Sequence, residues 1–301
     1  MLSANFVNIV EPVYNTVFDG IYKDHPAEWS KVFKTMQGMK RRRHEEDVLY
    51  GFGAAIETGE GSNINYDEGG ESYLATYTYK KYGLAFKISE ELAEDGEHIS
   101  VGTKYSRHLA ISMNHTKELV HANILNRSET AGYEGGDGDT LLSTSHPLPG
   151  GGTYSNRLTT AANLSETSLE QLLIDISNAV NDRGLPVQLT GEYLVVPPAL
   201  AFTAERLLKS QGRVGTADND LNAIKSMGLV SKGWCKITRL TSSTRWFVTT
   251  DAPEGLKHLP RGGVKRGMEG DFETGNMRYK ATERYAAGWT DARGIYGSAG
   301  V

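Results

Sequence analysis

Hydrophobic residues recur at helical spacing over two long stretches of this chain. The first, residues 99–126, contains no proline and carries an apolar stripe, so it predicts one long helix. The second, residues 168–182, places its leucines and isoleucines on one face and predicts another helix. Thr167 and Glu170 have the spacing of a capping box at the start of this second helix.

The amino-terminal stretch has a less regular pattern. Apolar residues at positions 6, 9, 10, 13 and 17 follow helical spacing. Pro12 interrupts them, and a proline inside a helix removes a hydrogen bond and clashes with the preceding turn. We therefore expect residues 1–46 to form an extended arm with short helical pieces.

Polar and apolar residues alternate between positions 73 and 80, which is typical of a strand with one buried face. Residues 48–56 could form the outgoing strand, so residues 48–88 predict a long hairpin. The segment 57–71 between the two strands is acidic, rich in glycine and too long for a tight turn. Such an arm must either move freely or lie on a partner.

Shorter patterns fill the rest of the chain. Ser89 is a suitable N-cap for a short helix, and Pro197 and Pro198 precede a helix predicted at 199–209. A further short helix is predicted at 219–227, and strands are predicted at 193–196, 245–249 and 277–281. Because helices and strands are segregated along the chain, the pattern indicates an α+β fold.

Composition excludes several classes of protein. The 301 residues carry a net charge of −5, whereas proteins that coat nucleic acid are usually basic. The single cysteine, Cys235, rules out an intrachain disulfide and a multi-cysteine zinc site. No apolar run approaches the ~20 residues that span a bilayer, and the first twenty residues do not resemble a signal peptide.

Two blocks of opposite charge adjoin each other in residues 40–47. One interpretation is a solvated strip whose charges compensate each other. Another is an electrostatic contact with a neighbouring subunit. The basic block is Lys40, Arg41, Arg42 and Arg43, and the acidic block is Glu45, Glu46 and Asp47.

Motifs of common catalytic and ligand sites are absent from the sequence. No glycine is followed by lysine, so there is no Walker-type phosphate loop, and no dinucleotide fingerprint is complete. Ser143, Ser145 and His146 lie close together, which leaves a hydrolase or transferase that uses His146 as an alternative. His146-Pro147 is also typical of a turn. We expect no enzymatic activity, no metal ion and no cofactor.

An ordered series of segments resembles the Mu-like major head subunits of tailed phages. Residues 137–147, from Asp137 through Ser143 and His146 to Pro147, are similar to a signature of that family. Leu142 stands where phenylalanine is common in the family. The resemblance spans about residues 85–300, and its further segments are Ser155-Asn156, 164–186, 193–200, 202–210, 245–251 and 288–297, with Ala292 where a second tryptophan is frequent.

This resemblance implies the Hong Kong 97-type capsid fold. It also implies a subunit that assembles into pentamers and hexamers of an icosahedral head around double-stranded DNA. We expect it in the virion, after assembly in the host cytoplasm and without a membrane. The implied division is an amino-terminal arm at 1–46, an extended loop at 47–88, a peripheral domain at 89–131 and 263–301, and an axial domain at 132–262.

The main expected partner is the chain itself, because the tyrosine-rich hairpin offers surface that only a neighbour can cover. A portal is a further expected partner. Because the spine helix and the hairpin begin too early for a long scaffolding segment before them, we also expect a separate scaffolding protein, or none. DNA would be enclosed without sequence readout. A tail or decoration protein remains an alternative. The expected contacts between subunits are Arg41, Arg42, Arg43, Glu45, Glu46, Asn63, Tyr66, Glu68, Tyr73, Tyr77 and Tyr79.

Overall fold

The computed structural model describes residues 4–37, 41–212, 221–271 and 273–301, with side chains from Ile9 onward. Lys40 and the first positions of the helix predicted at 219–227 lie outside these ranges. The helices are α1 (Ala4–Asp24), α2 (Glu90–Glu94), α3 (His98–Asn126), α4 (Glu166–Ser177), α5 (Ala201–Lys209) and α6 (Ala223–Met227). The strands are β1 (Lys34–Thr35), β2 (Arg43–Tyr50), β3 (Gly70–Thr78), β4 (Lys80–Ile88), β5 (His146–Pro147), β6 (Thr153–Tyr154), β7 (Gly191–Val196), β8 (Trp234–Lys236), β9 (Trp246–Thr250), β10 (Leu256–Pro260), β11 (Lys265–Gly270), β12 (Met277–Trp289) and β13 (Ile295–Ser298).

The strand β12, 13 residues long, organises the larger sheet. Along one edge it pairs antiparallel with β11 and β10, and β1 is the parallel neighbour of β10. Along the other edge it pairs with β4, from Met277 opposite Ile88 to Tyr285 opposite Lys80. Successive residues of a strand point to opposite faces. The buried set of β12, which includes Tyr279, faces α1 and α3.

The amino-terminal segment differs from the expected short helical pieces. α1 is one helix of 21 residues with Pro12 inside it. Val10, Tyr14 and Phe18 lie on one side of α1 and are buried against α3 and the larger sheet. Burial of each large apolar side chain contributes roughly 1.5–3 kcal/mol. Together the three outweigh the ~3 kcal/mol that a proline costs inside a helix.

A glycine allows α1 to approach α3 closely. The hydroxyl of Tyr14 donates a hydrogen bond to the backbone carbonyl of His98, at 2.6 Å. A Cβ atom at Gly102 of α3 would stand 1.9 Å from that hydroxyl oxygen, so no larger residue fits there. α3 itself confirms the long helix predicted at 99–126.

The smaller sheet has four strands in the order β13, β9, β7, β8. Helices α4, α5 and α6 contribute to the apolar core on this sheet. α4 begins earlier than predicted, because Ser165 and not Thr167 is its N-cap. Ser165 has the extended backbone that an N-cap requires, and it exchanges hydrogen bonds with Ser168. α4 also ends at Ser177 rather than at residue 182. The side-chain oxygen of Asn181 accepts hydrogen bonds from the backbone N–H groups of Arg183 and Leu185, so these residues form a turn in place of a further helical turn.

The predicted hairpin is present as β2 and β3, with Arg43 opposite Thr78 and Tyr50 opposite Gly70. Its outgoing strand begins earlier than the predicted residue 48, so most of the charged residues at 41–47 lie within β2. Residues 51–69 between the strands contain no helix or strand, and we call them the tip loop. Tyr79 alone separates β3 from β4.

The carboxyl-terminal strands cross twice between the two sheets. β9 lies in the smaller sheet, β10, β11 and β12 lie in the larger, and β13 returns to the smaller, with Ile295 opposite Thr249. β4, which the resemblance assigned to the extended loop, pairs along β12. The larger sheet therefore combines strands from before residue 88 and from both sides of residue 262.

Candidate assembly surface and the clusters that hold it

The tip loop presents large apolar side chains to solvent. Ile56, Ile64 and Tyr66 are 69%, 77% and 98% exposed. A single exposed apolar residue is ordinary, but several in one loop mark an interaction surface. Asn63 and Glu68, which the sequence also predicted as contacts, are exposed in the same loop. The tip loop therefore offers a surface that the described part of the chain leaves uncovered.

The base of the hairpin is fixed by a buried ion pair that the sequence did not reveal. Lys257 of β10 is 1% exposed and donates hydrogen bonds to Glu46 of β2 and to Glu254. The hydroxyl of Thr290 also donates to Glu46, and Nε2 of His44 lies 2.9 Å from it. Burial alone would raise the pKa of Glu46, but these hydrogen bonds outweigh it and hold the pKa below its ordinary value.

Tyr73, Tyr77 and Tyr79, which the sequence predicted as contacts between subunits, make contacts within the chain. Tyr77 and Tyr79 are buried in a cluster with Leu259 of β10. The hydroxyl of Tyr77 lies 2.6 Å from the hydroxyl of Thr290, and burial raises its pKa. The hydroxyl of Tyr73 donates to the backbone carbonyl of Thr290 at 2.9 Å. These side chains fix the direction of β3 relative to the larger sheet.

The charged residues at 41–47 are divided by the alternation of β2. Glu46 faces inward to Lys257, whereas Arg41, Arg42, Arg43 and Glu45 are exposed. The interpretation of a fully solvated strip therefore does not hold for Glu46. These exposed residues, and Asp47 with them, remain available to a neighbouring subunit.

The tip loop is also held to the layer of the smaller sheet. Asp67 accepts hydrogen bonds from the backbone N–H of Gly53 at 2.6 Å and from the guanidinium of Arg183 at 2.8 and 3.0 Å. The bond from Gly53 and the charge of Arg183 lower the pKa of Asp67 below its ordinary value. Gly53 and Asp67 lie near the two ends of the tip loop, and Arg183 lies in the turn after α4. These bonds therefore hold both ends of the loop beside the layer of the smaller sheet.

A buried polar cluster unites residues of the sequence signature. Nδ1 of His146 lies 2.7 Å from a carboxylate oxygen of Asp137, and Nε2 lies 3.1 Å from the amide oxygen of Asn156. The amide nitrogen of Asn156 donates to the backbone carbonyls of Leu141 at 2.7 Å and Ala292 at 3.0 Å. The cluster ties residues 137–156 to the segment that follows β12.

His146 was also the candidate base of the alternative hydrolase. Its side chain is 0% exposed, and Tyr154 stacks on the imidazole with ring centroids 4.9 Å apart. The hydroxyl of Ser143 accepts a hydrogen bond from the backbone N–H of Ser145 within the turn. A general base must reach the proton of a substrate. Because no part of this imidazole is open to solvent, its geometry fits a structural role.

A second buried cluster joins the closing segment to the turn after α4. The guanidinium of Arg293 pairs with Asp182 at 2.7 Å and with Asp291 at 3.2 Å. It also lies 4.3 Å from the ring centroid of Tyr154. Burial alone would lower the pKa of Arg293, but the two carboxylates and Tyr154 outweigh it and raise the pKa. Arg293 therefore stays charged and holds the closing segment in place.

Two buried histidines lie beneath the segment that follows α1. Nε2 of His121, in α3, lies 3.0 Å from Nδ1 of His258, in β10, and Trp29 packs on both rings. Burial lowers the pKa of His121 to about 4 and that of His258 to about 3, and the charge of Lys117 acts in the same direction. Both histidines are therefore neutral near pH 7.

The described ranges contain no group of three or more His, Cys, Asp or Glu side chains that could hold a metal ion. In the same ranges, no helix combines the length and the apolar character that crossing a membrane requires.

Sequence reasoning missed Lys257, Arg183 and Arg293, although each organises a cluster. Lys257 gave one usable signal, since it stands inside the apolar strand pattern of β10, where a charge needs a buried partner. The two arginines gave no comparable signal, because Asp67, the partner of Arg183, and Asp182, one partner of Arg293, are distant in sequence.

A family model described as phage capsid protein matches residues 73–298. No curated protein sequence matches the chain.

Solved structures of phage and related capsids share the fold at low sequence identity. The capsid of the cyanophage P-SCSP1u aligns with a TM-score of 0.55 at 12% identity, over 88% of this chain and 85% of that chain. The procapsid of bacteriophage JBD30 aligns with a TM-score of 0.54 at 13% identity, over 98% and 75%. The capsid of an empty GTA particle aligns with a TM-score of 0.54 at 12% identity, over 92% and 95%.

Proposed function

Since this chain belongs to the phage capsid protein family, whose model matches 226 of its 301 residues, we propose that it forms the pentamers and hexamers of an icosahedral phage head. It is a shell-forming capsid subunit of the virion with the Hong Kong 97-type fold. The closed head would enclose double-stranded DNA by containment, without reading its sequence.

The observation that carries this proposal is the exposed tip loop. Its apolar side chains Ile56, Ile64 and Tyr66 stand at the end of a hairpin whose base is fixed to the larger sheet by Glu46 and Lys257. A rigidly based arm with an uncovered apolar end is suited to contact a second copy. Rings of identical subunits close through such head-to-tail contacts, and many weak contacts sum by multivalency.

The exposed residues predicted as contacts fit this role in two groups. Asn63, Tyr66 and Glu68 belong to the tip loop, and Arg41, Arg42, Arg43 and Glu45 belong to the start of the hairpin. Glu46, Tyr73, Tyr77 and Tyr79 would act indirectly, by holding the hairpin in the orientation that a neighbour meets.

The two layers would have different places in the shell. The layer of the larger sheet with α1 and α3 would be the peripheral part, with α3 as its spine. The layer of the smaller sheet with α4, α5 and α6 would be the axial part around the symmetry axes. A portal and a separate scaffolding protein would be further partners during assembly in the host cytoplasm.

We propose no catalytic activity for this chain. The closure of His146 between Asp137, Asn156 and Tyr154 supports a structural role, because a substrate has no path to the imidazole. Hydrolysis that survives His146→Asn in purified protein would point to a different active site and would overturn this part of the proposal.

The proposal is tested by electron microscopy of the purified chain together with a tip-loop variant. We expect the unaltered chain to form closed shells and the variant I56S/I64S/Y66S to remain as single subunits or small rings. A matched control, T58S/S62A, changes polar residues of the same loop and should assemble like the unaltered chain.

Closed shells from the triple variant would show that the apolar side chains of the tip loop are not required for assembly, and would contradict the proposal. Tubes or tail-like fibres from the unaltered chain would favour a tail protein instead. A chain that stays monomeric alone, but binds preformed heads, would favour a decoration protein.

A further inference from the structure

The long helix α3 has a basic side that faces away from the larger sheet. Lys104, Arg107, His108 and His115 are exposed, and their spacing along the chain places them on one side of the helix. The opposite side of α3 is buried against α1 and β12. At a rise of about 1.5 Å per residue, the four side chains extend over roughly 16 Å of the helix. We call these four residues the basic stripe.

No carboxylate accompanies the basic stripe on α3. The one acidic residue of this helix, Glu118, is 1% exposed. Its carboxylate accepts hydrogen bonds from the backbone N–H groups of Glu28 at 2.8 Å and Trp29 at 3.3 Å, so it faces the segment after α1. Every exposed side chain of α3 that carries a charge or an imidazole is therefore basic, in a chain whose net charge is −5.

The neighbouring helix α1 directs two of its carboxylates toward the larger sheet. Asp19 pairs with Arg266 of β11, and this hydrogen bond together with the charge of Glu11 raises the pKa of Arg266 above its ordinary value. The last turn of α1 adds an exposed cation, Lys23, with Asp24 beside it. The outer surface of the layer formed by α1 and α3 therefore carries more positive than negative charge.

The imidazole of His115 is oriented as a hydrogen-bond donor toward the outside. Nε of Arg239 donates to Nδ1 of His115 at 3.3 Å, and the guanidinium of Arg239 lies 3.7 Å from the carboxylate of Glu28. A neutral imidazole that accepts at Nδ1 carries its proton on Nε2. Nε2 can therefore donate to an acceptor outside the chain, such as a phosphate oxygen. Lys104 and Arg107 supply charged donors for the same kind of acceptor.

The basic stripe matches the backbone of a nucleic acid in charge and in length. A DNA duplex carries one negative charge per ~1.7 Å of its axis, so a duplex along the stripe brings several phosphates within reach. Lysine, arginine and other donors make such phosphate contacts without reading the sequence. The proposed shell encloses a duplex, so the surface that faces inward meets phosphates over its whole area.

We propose that the basic stripe of α3 contacts the phosphates of the DNA that the shell encloses. This inference rests on the proposed shell and names the surface that meets its contents. Each subunit makes few contacts, and the repeated stripes of many subunits act together. Because the contacts are ionic, the logarithm of the binding constant falls by about 0.9 per neutralised phosphate for each tenfold rise in salt concentration.

The test measures the DNA retained by closed shells that assemble in the presence of a short duplex, after nuclease has removed the DNA outside. We expect K104Q/R107Q to lower the retained DNA about tenfold at about 50 mM NaCl, because two phosphate contacts are lost from every subunit. The control K87Q/K280Q removes the same charge from exposed lysines on the other face of the larger sheet. Its shells should retain as much DNA as those of the unaltered chain.

Acetylation of lysines, measured by mass spectrometry, provides a second test that needs no substitution. In unaltered shells assembled with the duplex, Lys104 should react several-fold less with a small acetylating reagent than in shells assembled without it. Lys280 should react equally in both kinds of shell. Equal reaction of Lys104 in both would overturn the proposal, and this result decides the matter even where K104Q/R107Q does not assemble.

The outcomes separate this inference from the proposed function. If the unaltered chain forms no closed shells, the proposed function fails and the inference fails with it. If closed shells form and K104Q/R107Q retains as much duplex as the unaltered chain, only the inference is overturned. The same holds if K87Q/K280Q loses the duplex instead, because the opposite face of the sheet would then meet the DNA. Equal protection of Lys104 by a polyglutamate peptide would assign the basic stripe to an acidic protein segment and would also overturn the inference.

Discussion

The ammonium group of Lys257, in the larger sheet, donates a hydrogen bond to the carboxylate of Glu46, 211 positions earlier in the hairpin. Lys257 is 1% exposed, so this pair determines whether the base of the hairpin can remain on the sheet. A buried pair contributes most to structure when removing one partner leaves the other uncompensated. The orientation of the hairpin therefore depends on this long-range contact as well as on its tyrosine contacts and its own strand pairing.

Lys257→Met tests this dependence, because methionine keeps most of the length of the side chain and removes its charge. We expect the free energy of unfolding to fall by about 1–3 kcal/mol in urea denaturation. The control K265M, at an exposed lysine of β11, should change it by less than about 0.5 kcal/mol. A double-mutant cycle with Glu46→Gln that shows no coupling would contradict a direct role for the pair.

The lowered pKa values of the two buried histidines make the free energy of unfolding depend on pH. His121 and His258 have folded pKa values of about 4 and about 3, below their ordinary value of 6.5. The unfolded chain therefore binds more protons, and stability falls as pH decreases from 6.5 toward 4. Each histidine contributes about 1.4 kcal/mol per pH unit in this window. Urea denaturation of His258→Phe at several pH values should give about half the histidine-dependent slope, and an unchanged slope would exclude His258.

Substitution of Asn156 should lower the stability of the fold, because this side chain joins several buried backbone groups. Its amide oxygen accepts from the backbone N–H of Ser143, and its amide nitrogen donates to backbone carbonyls on both sides of the polar cluster. Asn156→Ala leaves several buried groups unpaired, at about 1–3 kcal/mol each. We expect a loss of about 3 kcal/mol or more in thermal or urea denaturation. Asn63→Ala, in the exposed tip loop, is the matched control, and an equally small effect of both would refute the cluster's role.

Two glycine-to-alanine substitutions should act in opposite directions. Gly102→Ala forces a Cβ onto Tyr14 and should destabilise the chain by about 1–3 kcal/mol. Gly20→Ala, in α1, meets nothing within 4 Å and should stabilise by about 0.5–1 kcal/mol. Differential scanning calorimetry checks both changes. A stabilising Gly102→Ala would mean that α1 does not rest on α3 at this point.

Local patterns were sufficient to predict the hairpin and the long helix α3, because each is a regular repeat over many residues. They failed where distant residues decide. Pro12 argued against a continuous α1, but the burial of Tyr14 and Phe18 on α3 overrides the local cost. Ser165 and Thr167 are both good caps, and only the extended backbone at Ser165 selects it. The alternation at Tyr77 predicted one buried face, yet it could not tell that the same chain covers that face.

The central claim is that the tip loop of each subunit contacts another subunit in a closed shell. An electron cryomicroscopy reconstruction of the particles formed by the purified chain tests it most directly. The account predicts an icosahedral shell in which residues 51–69 of one copy contact a neighbouring copy. A shell in which this loop contacts only its own chain, or particles that are not closed shells, would contradict the account.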